Sequence, residues 1–245
     1  MAEGQPFEKR VAIVTGASSG IGRAIAVALA ALGAETCAVA RRRPELEALA
    51  AEAREKGQRV RVCCADLTSE QDIQGMVETI RQEFGRVDVL VSCGGAISHN
   101  PLEKASLADF DLLYRSNLRG HYALVQAALP LLRQAKGQIV FINSSAGLRA
   151  AATSGQFAAT QHALRAIADS LREEVNGDGI RVLTVYPGRT ATPRMEGLFA
   201  KEGRAYRPEL LMQPEDIAAM VVQALLLPAR AEVTEISMRP ALKSY

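Results

Sequence analysis

An excess of charge of either sign is nearly missing from this chain: 29 Lys and Arg stand against 27 Asp and Glu, a formal net charge of +2, and no basic run exceeds the three residues Arg41–Arg43. Neither feature gives the broad positive surface that a polyanion needs, so nucleic acid is not an expected partner. Long apolar runs are also absent, and none approaches the ~20 residues that cross a bilayer, so no membrane partner is expected. The opening stretch MAEGQPFEKR lacks the apolar core of a signal peptide, which makes a cytoplasmic protein the expectation. Cysteine is scarce, and Cys37, Cys63, Cys64 and Cys93 show no metal-ligand spacing. The first three sit in apolar, strand-like runs, where a reduced thiol behaves as a small hydrophobe.

What is present is a globular composition, 48% hydrophobic and 23% charged over 245 residues, long enough for one sizeable core. Short β-branched runs at 10–15, 36–40, 59–65, 87–92, 138–144, 180–186 and 232–238 alternate with helical patterns at about 20–33, 44–56, 69–84, 106–134, 153–176 and 214–227. Continuous apolar runs, rather than strict alternation, mark strands buried on both faces. Gly33 and Gly57 read as helix stops, and Thr68 or Ser69 as a helix cap followed by Glu70 and Asp72. Pro214 suits a helical first turn. Strand–helix–strand repetition predicts an α/β fold, a doubly wound parallel sheet of about seven strands with helices on both faces, in a single domain over 1–245. The segment 189–213 reads as the longest irregular insertion, a candidate flap over a ligand site.

The first strand runs straight into TGASSGIG, residues 15–22. Gly16, Gly20 and Gly22 allow a tight turn and a close backbone approach to phosphate, with Ser18, Ser19 and Ile21 between them at the opening of a helix. The helix N-terminus offers N–H donors and a positive dipole end to a pyrophosphate. The second strand ends at Ala40 and is followed by Arg41, Arg42 and Arg43. An acid at this point would accept a bond from a free ribose 2′-hydroxyl, whereas arginine suits a 2′-phosphate, so NADP(H) is favoured over NAD(H). A solvated cluster at a helix start is the alternative. Asp66, ahead of Leu67, is placed to meet the adenine edge or simply to lead into a helix.

With those residues in hand, the sequence resembles the short-chain dehydrogenase/reductase family, of Rossmann type, over nearly its whole length. The resemblance rests on TGASSGIG at 15–22, Asp66 in ADLT, Asn117 in SNLRG, Ser144 in INSSAG and YPGRTATP at 186–193. It implies a tyrosine, thirteen residues after the serine, that protonates a substrate carbonyl as hydride arrives from the nicotinamide. A lysine four residues further on lowers that tyrosine's pKa and bonds the ribose. The serine orients the carbonyl, and the asparagine supports a water-linked proton relay. Ser144 and Asn117 match, but the tyrosine position holds Phe157 and the lysine position Gln161. The family's double-asparagine motif reads Ser92-Cys93-Gly94-Gly95. Further cofactor contacts implied are Leu67, Ser92, Gly94, Gln161, Pro187, Gly188, Thr190 and Thr192. A homodimer or homotetramer through 106–134 and 153–176 is implied by the same analogy.

Phe157 keeps a ring and loses the proton, and general acid catalysis is typically worth ~10²–10⁴-fold in rate. Gln161 keeps hydrogen-bond donors without charge, at about 0.5–1.5 kcal/mol per bond against about 1.5–3 for a charged one. Carbonyl/alcohol redox activity is therefore expected to be absent or strongly weakened. Three alternatives stand beside that expectation: an active oxidoreductase whose proton comes from Tyr186 or water, a non-redox enzyme for cyclisation, elimination or isomerisation, and a regulatory subunit of an active relative. Phe157 also fits a core anchor, on one helical face with Gln161, Leu164, Ala168 and Leu171. Ser144 also fits a strand-end cap, and Asn117 a helix-kink residue. Tyr186 also fits a packing ring below the pocket, His99 a surface loop residue, and His162 a helix interface. Cys93 is a nucleophile candidate with no base paired to it.

Overall fold

The computed structural model describes residues 5–242; the outermost residues of the expected 1–245 domain lie outside that range. Strands β1 (Val11–Thr15), β2 (Glu35–Ala40), β3 (Val60–Cys64), β4 (Val89–Ser92), β5 (Gln138–Ile142), β6 (Arg181–Pro187) and β7 (Glu235–Met238) form one sheet in the order β3-β2-β1-β4-β5-β6-β7. All neighbours are parallel. Helices α1 (Gly20–Ala31), α2 (Arg43–Glu55), α3 (Glu70–Phe84), α4 (Leu107–Tyr114), α5 (Gly120–Ala135), α6 (Gly155–Val175), α7 (Pro193–Lys201) and α8 (Pro214–Leu225) connect or flank them. Among the described residues no helix is long and apolar enough to cross a membrane.

The expected doubly wound α/β sheet is the one observed. Its central strands β1, β4 and β5 are buried on both faces. One apolar layer joins α1, α2 and α8 to one face, through residues such as Ile25, Leu46 and Ile217. The other joins α3, α5 and α6, through Ile73, Leu124 and Leu164. β3 and β7 are edge strands and only half covered. That position corrects the expectation for Cys64, which is exposed, with its thiol donating to the Arg41 carbonyl at 3.3 Å. Chain order reverses between β3 and β4, so adjacent β1 and β4 lead away in opposite directions, and a crevice opens beyond their carboxyl ends.

Two stretches depart from the sequence expectation. The predicted helix 106–134 is broken by a wider π turn at Arg115–Arg119, centred on Asn117. Such turns accommodate one extra residue and recur where a side chain must be aimed inward. The segment 189–213 is not irregular throughout, because it contains α7. Thr192 caps that helix by accepting from the Met195 N–H at 3.2 Å, Pro193 occupies its first position, and Leu198 and Phe199 bury its inner face.

Candidate functional site

A cleft of about 550 Å³ fills the crevice at the β1/β4 switch point. Of the residues singled out from sequence, Gly16, Ser18, Ser19, Gly20, Ile21, Gly22, Arg41, Arg42, Asp66, Leu67, Gly94, Asn117, Ser144, Phe157, Gln161, Pro187, Gly188, Thr190 and Thr192 line it. Ser92, Tyr186, His99 and Arg43 do not.

At one end, backbone meets backbone. Gly16 has φ +66°, and a Cβ there would lie 2.7 Å from the Cys93 carbonyl oxygen. A Cβ on Gly22 would lie 2.5 Å from the Gly16 carbonyl oxygen. Ser19 precedes α1 without capping it, and no acid stands in its first turn. The leading N–H groups and the positive end of the helix dipole are thus left for an external anion. The Ser18 and Ser19 hydroxyls instead accept from Arg42 Nη2, at 3.0 and 3.2 Å. Arg41 lies 3.7 Å from Asp66, whose Oδ1 accepts from the Thr68 N–H and hydroxyl at 2.8 and 2.9 Å. This donor set fits a diphosphate over α1 and a further phosphate among Arg41, Arg42 and the two serines.

The loop after β4 is braced from behind. The Thr15 hydroxyl donates to the Cys93 carbonyl at 2.6 Å and accepts from the Cys93 N–H at 2.8 Å. Asn117 clasps Ala96, accepting from its N–H at 2.7 Å and donating to its carbonyl at 3.0 Å, and reaches the Thr160 hydroxyl of α6 at 3.2 Å. The Asn117 carboxamide is therefore committed to structure. Ser92 Oγ lies 2.6 Å from His121 Nδ1, and His121 also bonds the Gly94 backbone. Burial holds the His121 imidazole down at about 4, so it is neutral. A neutral ring that donates to the Gly94 carbonyl accepts from the Ser92 hydroxyl. Ser92, expected at the cofactor, is thus a fully buried brace one layer below the cleft. Burial likewise pushes the Cys93 thiol up to about 11, which removes it as a nucleophile.

At the far end stand Ser144, Phe157 and Gln161. The Ser144 hydroxyl caps Ala146 N–H at 3.1 Å and faces the cleft. Asn143 ties the end of β5 to α6: its Nδ2 donates to the Gln161 carbonyl at 3.0 Å, and its Oδ1 accepts from the Ser144 N–H at 2.6 Å. Phe157 and Gln161 lie on the buried face of α6 and form one cleft wall. Gln161 is only 5% exposed, and among the described residues no protein group bonds its side-chain amide. Phe157 offers the site a ring of C–H edges.

Tyr186 is corrected as a substitute acid. Its ring is fully buried below the Arg165 guanidinium, and its hydroxyl donates to Glu235 Oε1 at 3.1 Å. Burial, followed by the Glu235 charge, raises its phenol above the usual tyrosine value. His99 is the reverse case, because it is no ordinary surface residue. Its ring centre lies 6.2 Å from that of Phe157, and its Nδ1 lies 3.0 Å from Glu202 Oε1 on the α7 side. Burial raises the Glu202 pKa, but His99 and Arg204 more than offset that and leave its carboxyl below the usual range. His162 lies at the surface with Nδ1 on the Ala158 carbonyl at 2.9 Å. Sequence reasoning passed over Asn143, His121 and Arg194. For Asn143 a signal was in view, since it directly precedes Ser144 at the end of a strand.

Known proteins share this fold. The family model for short chain dehydrogenase matches residues 10–203. Glycine betaine reductase ATRR of Emericella nidulans is 33% identical over 241 residues, a match that covers 96% of this chain but only 19% of that protein's length. Sepiapterin reductase of Chlorobaculum tepidum is 34% identical over 246 residues, covering 95% of this chain and 96% of that one. The X-ray structure of an alcohol dehydrogenase from the archaeon Thermococcus sibiricus, complexed with 5-hydroxy-NADP, matches with a TM-score of 0.87 at 29% identity. That match covers 96% of this chain and 98% of the other.

Proposed function

This chain belongs to the short-chain dehydrogenase/reductase family, and from that premise we propose that it binds NADP(H) in the cleft while its carbonyl/alcohol redox turnover is absent or strongly weakened. Support for the nucleotide comes from the uncapped α1 N-terminus and from Arg42 set over Ser18 and Ser19. It comes also from the related alcohol dehydrogenase structure that holds 5-hydroxy-NADP. When bound, NADPH supplies hydride. The chain must then orient a carbonyl and deliver a proton to its oxygen. Ser144 retains a cleft-facing hydroxyl for the first task. For the second, Phe157 presents only carbon, and neutral Gln161 adds no cation beside it.

The observation that carries this reading is the pairing of Phe157 and Gln161 in one cleft wall, at the positions where the sequence resemblance implies tyrosine and lysine. The test is calorimetric titration with NADPH, followed by NADPH oxidation over a panel of carbonyl compounds, before and after Phe157→Tyr with Gln161→Lys. Binding should survive in both proteins, and turnover should rise at least ~10²-fold in the double variant. Family-typical turnover in the unaltered protein refutes the proposal.

One observation favours a second reading, an active oxidoreductase with a displaced proton donor. His99 faces Phe157 and is held by a carboxylate, as catalytic imidazoles are. In that case His99→Asn abolishes turnover without loss of NADPH binding. Self-association is part of the same proposal. α4 and the start of α5 expose Leu107, Phe110, Leu112, Tyr114 and Tyr122, an apolar strip suited to a second copy.

A further inference from the structure

Charged side chains are few along the cleft. Arg41, Arg42 and Asp66 cluster at the adenosine end. Beyond the glycine turn, toward Ser144 and Phe157, Arg194 is the one charged residue lining the cleft among the described residues. It is the second residue of α7, after Thr192 and Pro193. The lip that carries it overhangs the start of α1, since a Cβ on Gly20 would lie 2.9 Å from Thr192 Cγ2. Its field also reaches the cleft floor, where it bears on Cys93 and His121 beneath the loop after β4.

Arg194 differs from the other arginines around it. Arg42 pairs with Glu45 at 2.8 Å and Arg204 with Glu202 at 3.2 Å. Arg189 and Arg204 also lie over the Phe199 ring, at 5.3 and 4.7 Å. Among the described residues no carboxylate pairs with Arg194. A guanidinium is planar, always charged and suited to bidentate contact with phosphate oxygens. Set on the lip above an uncapped helix N-terminus, it completes a site for an anion from the side that α1 leaves open.

We propose that Arg194 clamps the nucleotide's diphosphate and so supplies, from α7, the positive charge that Gln161 does not supply from α6. The inference rests on the reading that this cleft takes NADP(H). It makes physical sense of two features together. Gln161 is almost wholly buried, where an unpaired ammonium would be costly to desolvate. Arg194 is exposed, so its charge stays hydrated until the nucleotide arrives. The positive charge thus stands on the lip of the site rather than in its α6 wall, where it can meet the diphosphate.

Titration calorimetry of NADPH and NADH with the full chain tests this, using Arg194→Gln, Arg194→Lys and Arg42→Ala, with thermal melts to check folding. Arg194→Gln should weaken both nucleotides by the same factor, about ten- to a hundredfold, as expected for one charge-assisted contact. Arg194→Lys should recover part of the loss, because charge returns without the bidentate fork. Arg42→Ala should weaken NADPH and spare NADH. If Arg194→Gln binds both nucleotides within about twofold of the unaltered protein, the proposal is overturned while the NADP(H) reading stands. Loss of NADPH alone moves Arg194 to the 2′-phosphate and also overturns it. An unaltered protein that binds neither nucleotide overturns both the inference and the reading beneath it.

Discussion

Mild acid should destabilise this protein through one histidine. His121 is 1% exposed, and its ring is held between the Ser92 hydroxyl at 2.6 Å and the Gly94 backbone. Burial lowers its pKa from the ordinary 6.5 to about 4, with the positive Arg194 acting in the same direction. The unfolded chain therefore binds a proton at this site between about pH 6.5 and about pH 4, where the folded chain does not. Stability from the neutral ring is complete above the unfolded value and is lost as pH falls through this window. At about 1.4 kcal/mol per pH unit, the loss approaches roughly 3 kcal/mol, a large share of the ~5–15 kcal/mol that holds a typical domain together. Carboxylates with lowered pKa values, such as Asp72, Glu78 and Glu202, contribute stability that is complete above the ordinary carboxylate range and is lost as pH falls through that range toward their lowered values.

Urea unfolding followed by circular dichroism at several pH values across that window measures the slope directly. His121→Gln keeps an acceptor and a donor without a titrating group. It should be less stable than the unaltered protein near neutrality yet lose much less stability on acidification. An unchanged slope in His121→Gln refutes the reasoning, as does an NMR titration that places the His121 midpoint near the ordinary histidine value.

Gly22→Ala should fold poorly and bind NADPH weakly, because the added Cβ meets backbone oxygens of Gly16 and Thr15 at 2.5 and 2.8 Å. A cost of about 1–3 kcal/mol is expected from such overpacking, read as a lower urea midpoint. Tyr186→Phe should leave NADPH binding and any turnover unchanged while removing the bond to Glu235, at a cost of about 1 kcal/mol in a thermal melt. Loss of turnover with intact nucleotide binding in Tyr186→Phe would return that hydroxyl to the site.

The phosphate end of the cleft is legible in the sequence because its physics is local. Gly16, Gly20 and Gly22 follow a strand and open a helix within eight residues, so turn, dipole and close approach are all written in one stretch. The other end depends on contacts between distant segments. Ser92 carries no mark that its hydroxyl will meet His121, 29 residues on, rather than a ligand. Tyr186 closes β6, but strand register turns its ring toward Arg165 and Glu235, away from the cleft. His99 gains its meaning only from Glu202, 103 residues away. α7 is different, since Thr192 followed by Pro193 is a helix-start signal that the surrounding Arg, Gly and Pro obscure. Cys64 misled because an apolar run at a sheet edge is covered on one side only.

The two ends of the cleft also draw on different physical resources, so a change at one need not disturb the other. Nucleotide binding depends on backbone N–H groups, glycine turns and arginines at the rim, all fixed by the fold before any ligand arrives. In the family pattern that the sequence resembles, proton delivery depends on two side chains one helical turn apart, at the positions that Phe157 and Gln161 occupy on α6. Phe157 still fills its space beneath His99, and the α6 face through Leu164, Ala168 and Leu171 stays packed. Gln161 is 5% exposed and adds no buried charge, so it is less costly to fold there than a lysine would be. Asn117, Asn143 and Thr160 hold the wall in the same place whichever residues occupy it. Phe157→Tyr with Gln161→Lys should therefore keep the wall in place, at the cost of burying one ammonium. A double variant that binds NADPH, melts within a few degrees of the unaltered protein and still reduces no carbonyl would overturn the proposal that Phe157 and Gln161 limit turnover, with Ser144 the next residue to examine.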